Sequence, residues 1–430
     1  MLGILARCSR STGPWRHPDF VKLWLGRTAS RFGSHIGSTA LSLTAVLLLR
    51  ATPAQMGLLA ALGSAPSLVG APLAGTWVDR LRCRPVLIAA DIGRAALLTA
   101  IPLAALLGQL RIERLYAVAA LAGLLTALFE AAEGAYVPAL VPREELVEGN
   151  AALAAGDSVA EIGGQAAAGV LVQWLGGPAA VLLDAASCAC SALCVGLIRV
   201  PEMPAAEPAR REGVWREAVA GLRAVWADPL LRALAGNAAV SAFFGNFIGA
   251  LYTLYAVRTL GVPVPLVGLL VATGGVGALA GAFAAGRVAR RAGPGPALIG
   301  ATLVGGGMQL LNPLAGGPLP LAVSVAMLGA AQLMGDVAYA VHAVVAVSLR
   351  QAAVPGRLLG RVTASMGAIV GAAAPLGALA GGALGGAVGP RPTLLLAACG
   401  ILLAALPLLL SSVRALRELP ATRELWHTIM

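Results

Sequence analysis

Charge is scarce in this chain. Of its 430 residues, 12% are Asp, Glu, Lys or Arg and 58% are hydrophobic, and a soluble globule of that size cannot coat its surface from so small a polar stock. Water is therefore not its main solvent. Cysteine is also sparse: Cys8, Cys83, Cys188, Cys190, Cys194 and Cys399 form no CxxC pair, so a disulfide framework or a thiolate metal site is not expected, and these residues read as small buried hydrophobes. The four histidines, His17, His35, His342 and His427, are scattered and offer no metal-ligand spacing. No GxxxxGKS, HExxH or GxSxG stands in the sequence, which removes the usual signatures of nucleotide hydrolysis, zinc proteolysis and serine hydrolysis. The chain does not read as an enzyme, no cofactor is expected, and ATP is not a direct energy source.

What the chain has in abundance is apolar length. A helix needs about 20 apolar residues to cross a bilayer, and twelve such runs recur, at about 20–49, 54–78, 86–108, 115–140, 150–175, 178–199, 233–257, 265–286, 296–315, 318–345, 360–386 and 391–412. They are too long and too uniformly apolar for barrel strands. The net charge of +11 would suit a nucleic-acid surface, but its placement points elsewhere. With a cytoplasmic amino terminus, and with residues at the span ends counted with the adjoining loops, Lys and Arg divide as 23 on cytoplasmic segments, 5 on external loops and 3 within spans, the asymmetry of the positive-inside rule. No nucleic-acid partner and no cleavable signal peptide are expected. The chain is expected in the cell (inner) membrane, multi-pass, with both termini cytoplasmic.

Residues 57–88 and 268–299 are near copies, offset by 211 positions. Their glycines coincide at Gly57 and Gly268, Gly63 and Gly274, Gly70 and Gly281, and Gly75 and Gly286, and each apolar run ends in a burst of arginines. Composition alone explains matched glycines in helices but not matched loops. A second echo, Val141-Pro142 with Val354-Pro355, supports a duplication. The expected organisation is a cytoplasmic tail (1–19), a six-helix bundle (20–199), a cytoplasmic linker (200–232), a second six-helix bundle (233–412) and a cytoplasmic tail (413–430). In the linker, Trp215, Val219, Leu222 and Trp226 share one helical face flanked by Arg216 and Arg223, as in a short helix lying on the inner membrane surface.

The loop GTWVDRLRCR, from Gly75 to Arg84, resembles the signature between the second and third helices of the major facilitator superfamily. The segments LVPREELVEGNAAL (140–153) and AVPGRLLGRVTASM (353–366) are similar to loops of the branch that contains macrolide-efflux proteins and the enterobactin exporter. The resemblance implies twelve transmembrane helices in two pseudo-symmetric bundles, an all-α membrane fold, and proton-coupled export by alternating access. It also implies a cytoplasmic gate motif of Gly75, Asp79, Arg80 and Arg84. Asp79 would cap the third helix while the arginines reach neighbouring helix ends; the alternative is that these arginines only anchor topology. The second copy has Arg290 where the first has Asp79. The proline that exporters of this family typically carry in the fifth helix is replaced by Gln165, so the kink it would cause is absent.

Ionisable groups within a bilayer cost roughly 2.5–3.5 kcal/mol each on insertion scales and therefore mark polar interiors or partners. Here Arg27, Arg31, Asp91, Arg94, Glu130, Glu133, Asp157, Glu161 and Asp184 crowd the first half, and Asp336 stands in the second. Glu130 with Glu133 and Asp157 with Glu161 each share a helix face. Three arginines leave surplus acids that must be hydrated or protonated, so Glu130, Glu133, Asp157, Glu161 and His35 are the proton-coupling candidates, each with a salt-bridge or packing role as its alternative. Arg27, Arg31, Asp91 and Arg94 are expected in buried ion pairs. Phe243, Phe244, Asn246, Tyr252, Gln309 and Gln332 are candidates to line a substrate cavity. The expected partners are a small hydrophobic or amphipathic molecule, protons and the lipid bilayer, with the chain acting as a monomer. Uptake or flipping of a lipid or nutrient, and a non-transporting receptor or scaffold, remain open as other readings.

Overall fold

The computed structural model describes residues 13–66, 68, 82–200 and 214–418, and among these residues every element is helical. Each of the twelve predicted spans carries helix. Those of the first half are α1 (Pro18–Leu47), α2 (Pro53–Ser64), α3 (Cys83–Leu106), α4 (Ile112–Leu140), α5 (Leu146–Leu175) and α6 (Gly177–Gly196). After α7 (Val214–Ala227) come α8 (Pro229–Leu254), α9 (Val264–Ala292), α10 (Pro294–Gln309), α11 (Leu321–Ala353), α12 (Gly356–Val388) and α13 (Pro390–Leu403). Nine helices of the described residues have the length and hydropathy to cross a membrane. Helices α1 and α5 are long enough but carry the polar and ionisable residues of the site below, and the described part of α2 is 12 residues long.

Helix boundaries follow local chemistry. Thr52 and Gln55 form a capping box ahead of α2, with Gln55 N donating to Thr52 Oγ1 at 3.3 Å and Thr52 N to Gln55 Oε1 at 2.8 Å. Asp228 caps α8 by accepting from Leu230 N at 2.7 Å and Leu231 N at 3.1 Å. The turns before α6, α10 and α13 each place a glycine with positive φ ahead of a proline in the first helical turn: Gly176 (80°), Gly293 (89°) and Gly389 (93°). Glycine tolerates that backbone and proline suits the helix start, so successive helices reverse direction within a few residues.

The chain divides into two compact units, residues 1–44 with 69–211 and residues 45–68 with 212–430. The first packs around Phe20, Leu23, Leu87, Phe129, Tyr136 and Val195. In the second, Leu230, Leu298, Leu349 and Val362 form one core, and Phe247, Leu251, Tyr255, Val267 and Leu394 form another. Lipid supplies no hydrophobic drive between spanning helices, so close van der Waals contact at small residues matters most. Helix α9 shows this, with Gly277 and Gly281 seated on the backbone carbonyls of Leu333 and Val337 in α11.

Residues 45–68, which carry α2, group with the second unit. The reason is backbone contact: a Cβ on Gly57 would stand 2.5 Å from the Ala378 carbonyl oxygen and 2.6 Å from Gly382 Cα, both on α12. Arg258, in a π-helical turn after α8, reinforces this segment by donating to the carbonyls of Ala51 at 2.7 Å and Val46 at 2.5 Å. The linker helix α7 seats Gly221 against the Arg361 carbonyl and Ser365 Oγ of α12 and buries Ala224 and Val225. Its apolar residues Val219, Leu222 and Trp226 are exposed. The side chains of Trp215 and Arg216 lie outside the described residues.

Candidate functional site

The site begins with glycines that let α1 and α5 approach. A Cβ on Gly156 would meet Thr28 Oγ1 at 2.5 Å and Trp24 Nε1 at 3.1 Å; one on Gly163 would meet the Phe32 ring; one on Gly164 would meet the Phe32 carbonyl oxygen at 2.7 Å and His35 Cβ at 2.9 Å. Trp24 Nε1 donates to the Ala152 carbonyl at 2.8 Å, pinning the same seam. Asp157, one residue beyond Gly156, is thereby held beside the arginines of α1.

Arg27 is the centre of the cluster. Its Nη2 donates to Asp157 Oδ2 at 2.8 Å and its Nε lies 3.0 Å from Glu133 Oε1 on α4. Arg31, one turn on, donates from Nη2 to Glu130 Oε1 at 2.7 Å and has Nε 3.8 Å from Asp157 Oδ1. Burial is graded: Arg27 and Glu133 side chains are 13% and 7% exposed, Asp157 38% and Glu130 49%. Two guanidinium groups thus face three carboxylates. The central contact is close without being aligned, because Arg27 Nε, Glu133 Oε1 and Asp157 Oδ1 are buried and make no hydrogen bond. An under-satisfied buried ion pair is held by charge more than by directional bonding, and its polar atoms retain capacity for a proton or a ligand donor.

A second cluster lies on α1, α3 and α6. Arg94 Nη2 donates to Ser34 Oγ at 2.7 Å and stands 4.0 Å from Asp184 Oδ1, while Nη1 is 3.4 Å from Asp91 Oδ1. Ser34 Oγ donates to Asp184 Oδ1 at 3.1 Å. The sequence pairs Asp91 with Arg94 by their spacing of three but offers no partner for Asp184. The available signal was the stripe Asp184, Cys188 and Ser191, polar or small positions four and three apart on one face of an apolar helix.

The other predicted residues are placed as follows. Glu161 makes no ion pair among the described residues, and His35 abuts Gly164. Of the gate motif, Gly75, Asp79 and Arg80 lie outside the described residues. Arg84, at the start of α3, donates from Nε to the Val195 carbonyl at 3.2 Å and from Nη2 to that of Gly196 at 2.5 Å, so it caps the carboxyl end of α6, where a cation is favoured. In the second unit Phe243 and Phe244 stack edge to face at 5.1 Å, with the Phe244 ring against Gly400. Asn246 Nδ2 bonds back to the Ala242 carbonyl at 2.8 Å. Tyr252 is buried with its hydroxyl unbonded. Gln309 Oε1 accepts from Asn312 Nδ2 at 2.5 Å, and Gln332 and the Asp336 carboxylate both lie against Gly274. Sequence reasoning missed the network in which His342 Nε2 lies 2.6 Å from Asn237 Oδ1, and Asn237 Nδ2 donates to the Ala404 carbonyl at 2.7 Å.

Long apolar helices around buried ion pairs define a polytopic membrane protein with the architecture of a transporter. Solved structures share the fold: a point mutant of the nucleoside transporter NupG (TM-score 0.74, 12% identity, covering 91% of this chain and 99% of that one) and a bacterial homologue of the iron transporter ferroportin in an inward-facing state (0.72, 18%, 91% and 98%). A bacterial homologue of the lysosomal transporter Spinster also matches (0.68, 16%, 93% and 97%). The sequence profile of the Major Facilitator Superfamily matches residues 23–332, and the chain belongs to that family. It is 32% identical over 272 residues to y4rN of Sinorhizobium fredii, an uncharacterised MFS-type transporter; the match spans 61% of this chain and 65% of that relative's length.

Proposed function

We propose that this protein is a proton-coupled secondary transporter that exports a hydrophobic or amphipathic small molecule from the cytoplasm by alternating access. The observation that carries the reading is the charge imbalance around Arg27. Glu133 and Asp157 compete for one guanidinium from α4 and α5, so protonation of either releases Arg27 to the other. A shift of that kind couples proton occupancy to which helix α1 is tied to. The direction of transport rests on the likeness of residues 140–153 and 353–366 to the loops of exporters.

Transport in inverted vesicles with an imposed pH gradient tests this, using a panel of lipophilic compounds. Wild-type protein should accumulate its substrate only while the gradient stands, and Glu133→Gln and Asp157→Asn should retain binding but lose accumulation. Equal accumulation after the gradient is collapsed would reject proton coupling. Uptake or lipid flipping is the second reading, favoured by α5, which runs unbroken from Leu146 to Leu175 with Gln165 at the proline position. Substrate movement in the opposite sense would select it. Binding of a protein partner without transport of any compound would select a scaffold instead.

A further inference from the structure

The cluster on α1, α3 and α6 is short of one positive charge. Asp91 and Asp184 face a single guanidinium, and the side chains of Asp91, Arg94 and Asp184 are 0%, 7% and 7% exposed. An uncompensated charge at that depth costs far more than the ion pair returns, so a buried surplus carboxylate takes up a proton. The hydrogen bonds say which carboxyl does so. Asp184 Oδ1 receives donors from Ser34 Oγ at 3.1 Å and Cys188 Sγ at 3.7 Å, with Arg94 at 4.0 Å, as an ionised group requires. Asp91 has one charged donor, Arg94, at a long 3.4 Å from Oδ1, and its buried Oδ2 makes no hydrogen bond of good geometry. Ser191, fully buried on α6, puts a hydroxyl beside this carboxyl, and its Oγ has no partner elsewhere. Asp91 Oδ2 and Ser191 Oγ are therefore left to each other, the hydroxyl donating to the carboxyl when it is ionised and accepting from it when it is protonated.

We infer that Asp91 Oδ2 is a protonation site of the folded protein, distinct from the Arg27 site, with the proton directed to Ser191 Oγ. The groups facing it are Arg94 on its own helix, Asp184 and Cys188 on α6, and the hydroxyls of Ser30 and Ser34 on α1; α4 meets α3 nearby through Leu125 against Gly93. With the proton in place, Arg94 serves Ser34 and Asp184 and thereby ties α3 to α1 and α6. When the proton leaves, the ionised Asp91 competes for Arg94, and the tie to Ser34 loosens. The site is thus a proton-dependent clamp on α1, the helix that also carries Arg27 and Arg31. It is independent of the substrate and of the direction of transport.

Infrared absorption of the purified protein in liposomes at neutral pH tests the inference without any transport measurement. Subtracting the Asp91→Asn spectrum from wild type should reveal the carbonyl band of a protonated carboxyl and no ionised carboxylate bands. Loss of ionised carboxylate bands instead overturns the site. Ser191→Ala should shift that same carbonyl band to higher frequency, and an unmoved band in the folded variant rejects the assigned geometry. Asp184→Asn should abolish the band, because Asp91 then ionises beside Arg94; a band that persists counts against the charge argument. Replacing choline with sodium should not change thermal stability. Sodium-dependent stabilisation lost in Asp91→Asn would identify a bound metal cation in place of the proton.

Discussion

Arg27 illustrates how much one residue holds. Removing one partner from a buried pair typically costs about 3–5 kcal/mol, because the remaining charge is left without compensation. Arg27→Ala strands Glu133, 7% exposed, and leaves Asp157 only its 3.8 Å contact with Arg31, so a drop in detergent melting temperature of many degrees is expected. Adding Glu133→Gln should recover most of it, since the stranded charge is gone; no recovery in the double variant would show that packing, not charge, was lost. Asp19 offers a residue-scale test outside the membrane, as it precedes the first span. Burial alone would raise its pKa above the ordinary 3.8, but donors from Lys22 at 2.6 Å and from the backbone of Arg199 and Val200, each at 3.1 Å, lower it on balance. A depressed folded-state value contributes stability that is present above 3.8 and lost as pH falls through the folded pKa. Asp19→Asn should therefore melt below wild type at neutral pH, with the gap closing in acid; a gap independent of pH would refute the charge argument. The identities of these residues were legible in the sequence because ionisable groups stand out in apolar spans. Their partners were not, since Arg27 and Asp157 are 130 positions apart and nothing local records which helices meet.

At the scale of elements, the seam between α1 and α5 is where geometry is most constrained. Gly164 faces a backbone carbonyl and a Cβ, neither of which can rotate away, whereas Gly163 faces the end of the Phe32 ring. Gly164→Ala should cost roughly 1–3 kcal/mol, the usual range for overpacking, and should draw Asp157 away from Arg27, weakening transport as well as stability. Gly163→Ala should be milder. Gly245→Ala on α8, which has open space around it, should be neutral or gain roughly 0.5–1 kcal/mol from helix propensity. Melting curves of the three variants decide this, and an equal loss at Gly163 and Gly164 would refute the ranking. Helix positions were readable from apolar length and from Gly-Pro punctuation. The approach of α2 to α12 was not, because it depends on Gly57 meeting Gly382, a pairing of two glycines among 54 in the chain.

For the whole molecule, the duplication is the frame and its asymmetry is the information. The copies share glycines and loop arginines, yet ionisable residues in the spans are concentrated before residue 200, while the second half offers Tyr252, Gln309, Gln332 and a single Asp336. Composition and repeat length were enough to read the architecture, whereas a substrate site assembled from distant helices leaves no local pattern. The asymmetry predicts a division of labour. Neutralising Glu133 or Asp157 should remove dependence on the pH gradient while preserving the rank order in which a panel of compounds competes for transport. Tyr252→Phe, which removes a buried hydroxyl with no bond, and Gln332→Ala, which removes an amide beside Asp336, should reorder the panel several-fold while leaving gradient dependence intact. Because the two sets act on different steps, their effects on transport rate should multiply in Asp157→Asn combined with Tyr252→Phe. Vesicle transport measured across the panel, with and without the gradient, reads both quantities at once. A Tyr252→Phe variant that altered the gradient dependence, or an Asp157→Asn variant that reordered the panel, would show that coupling and recognition share one set of residues.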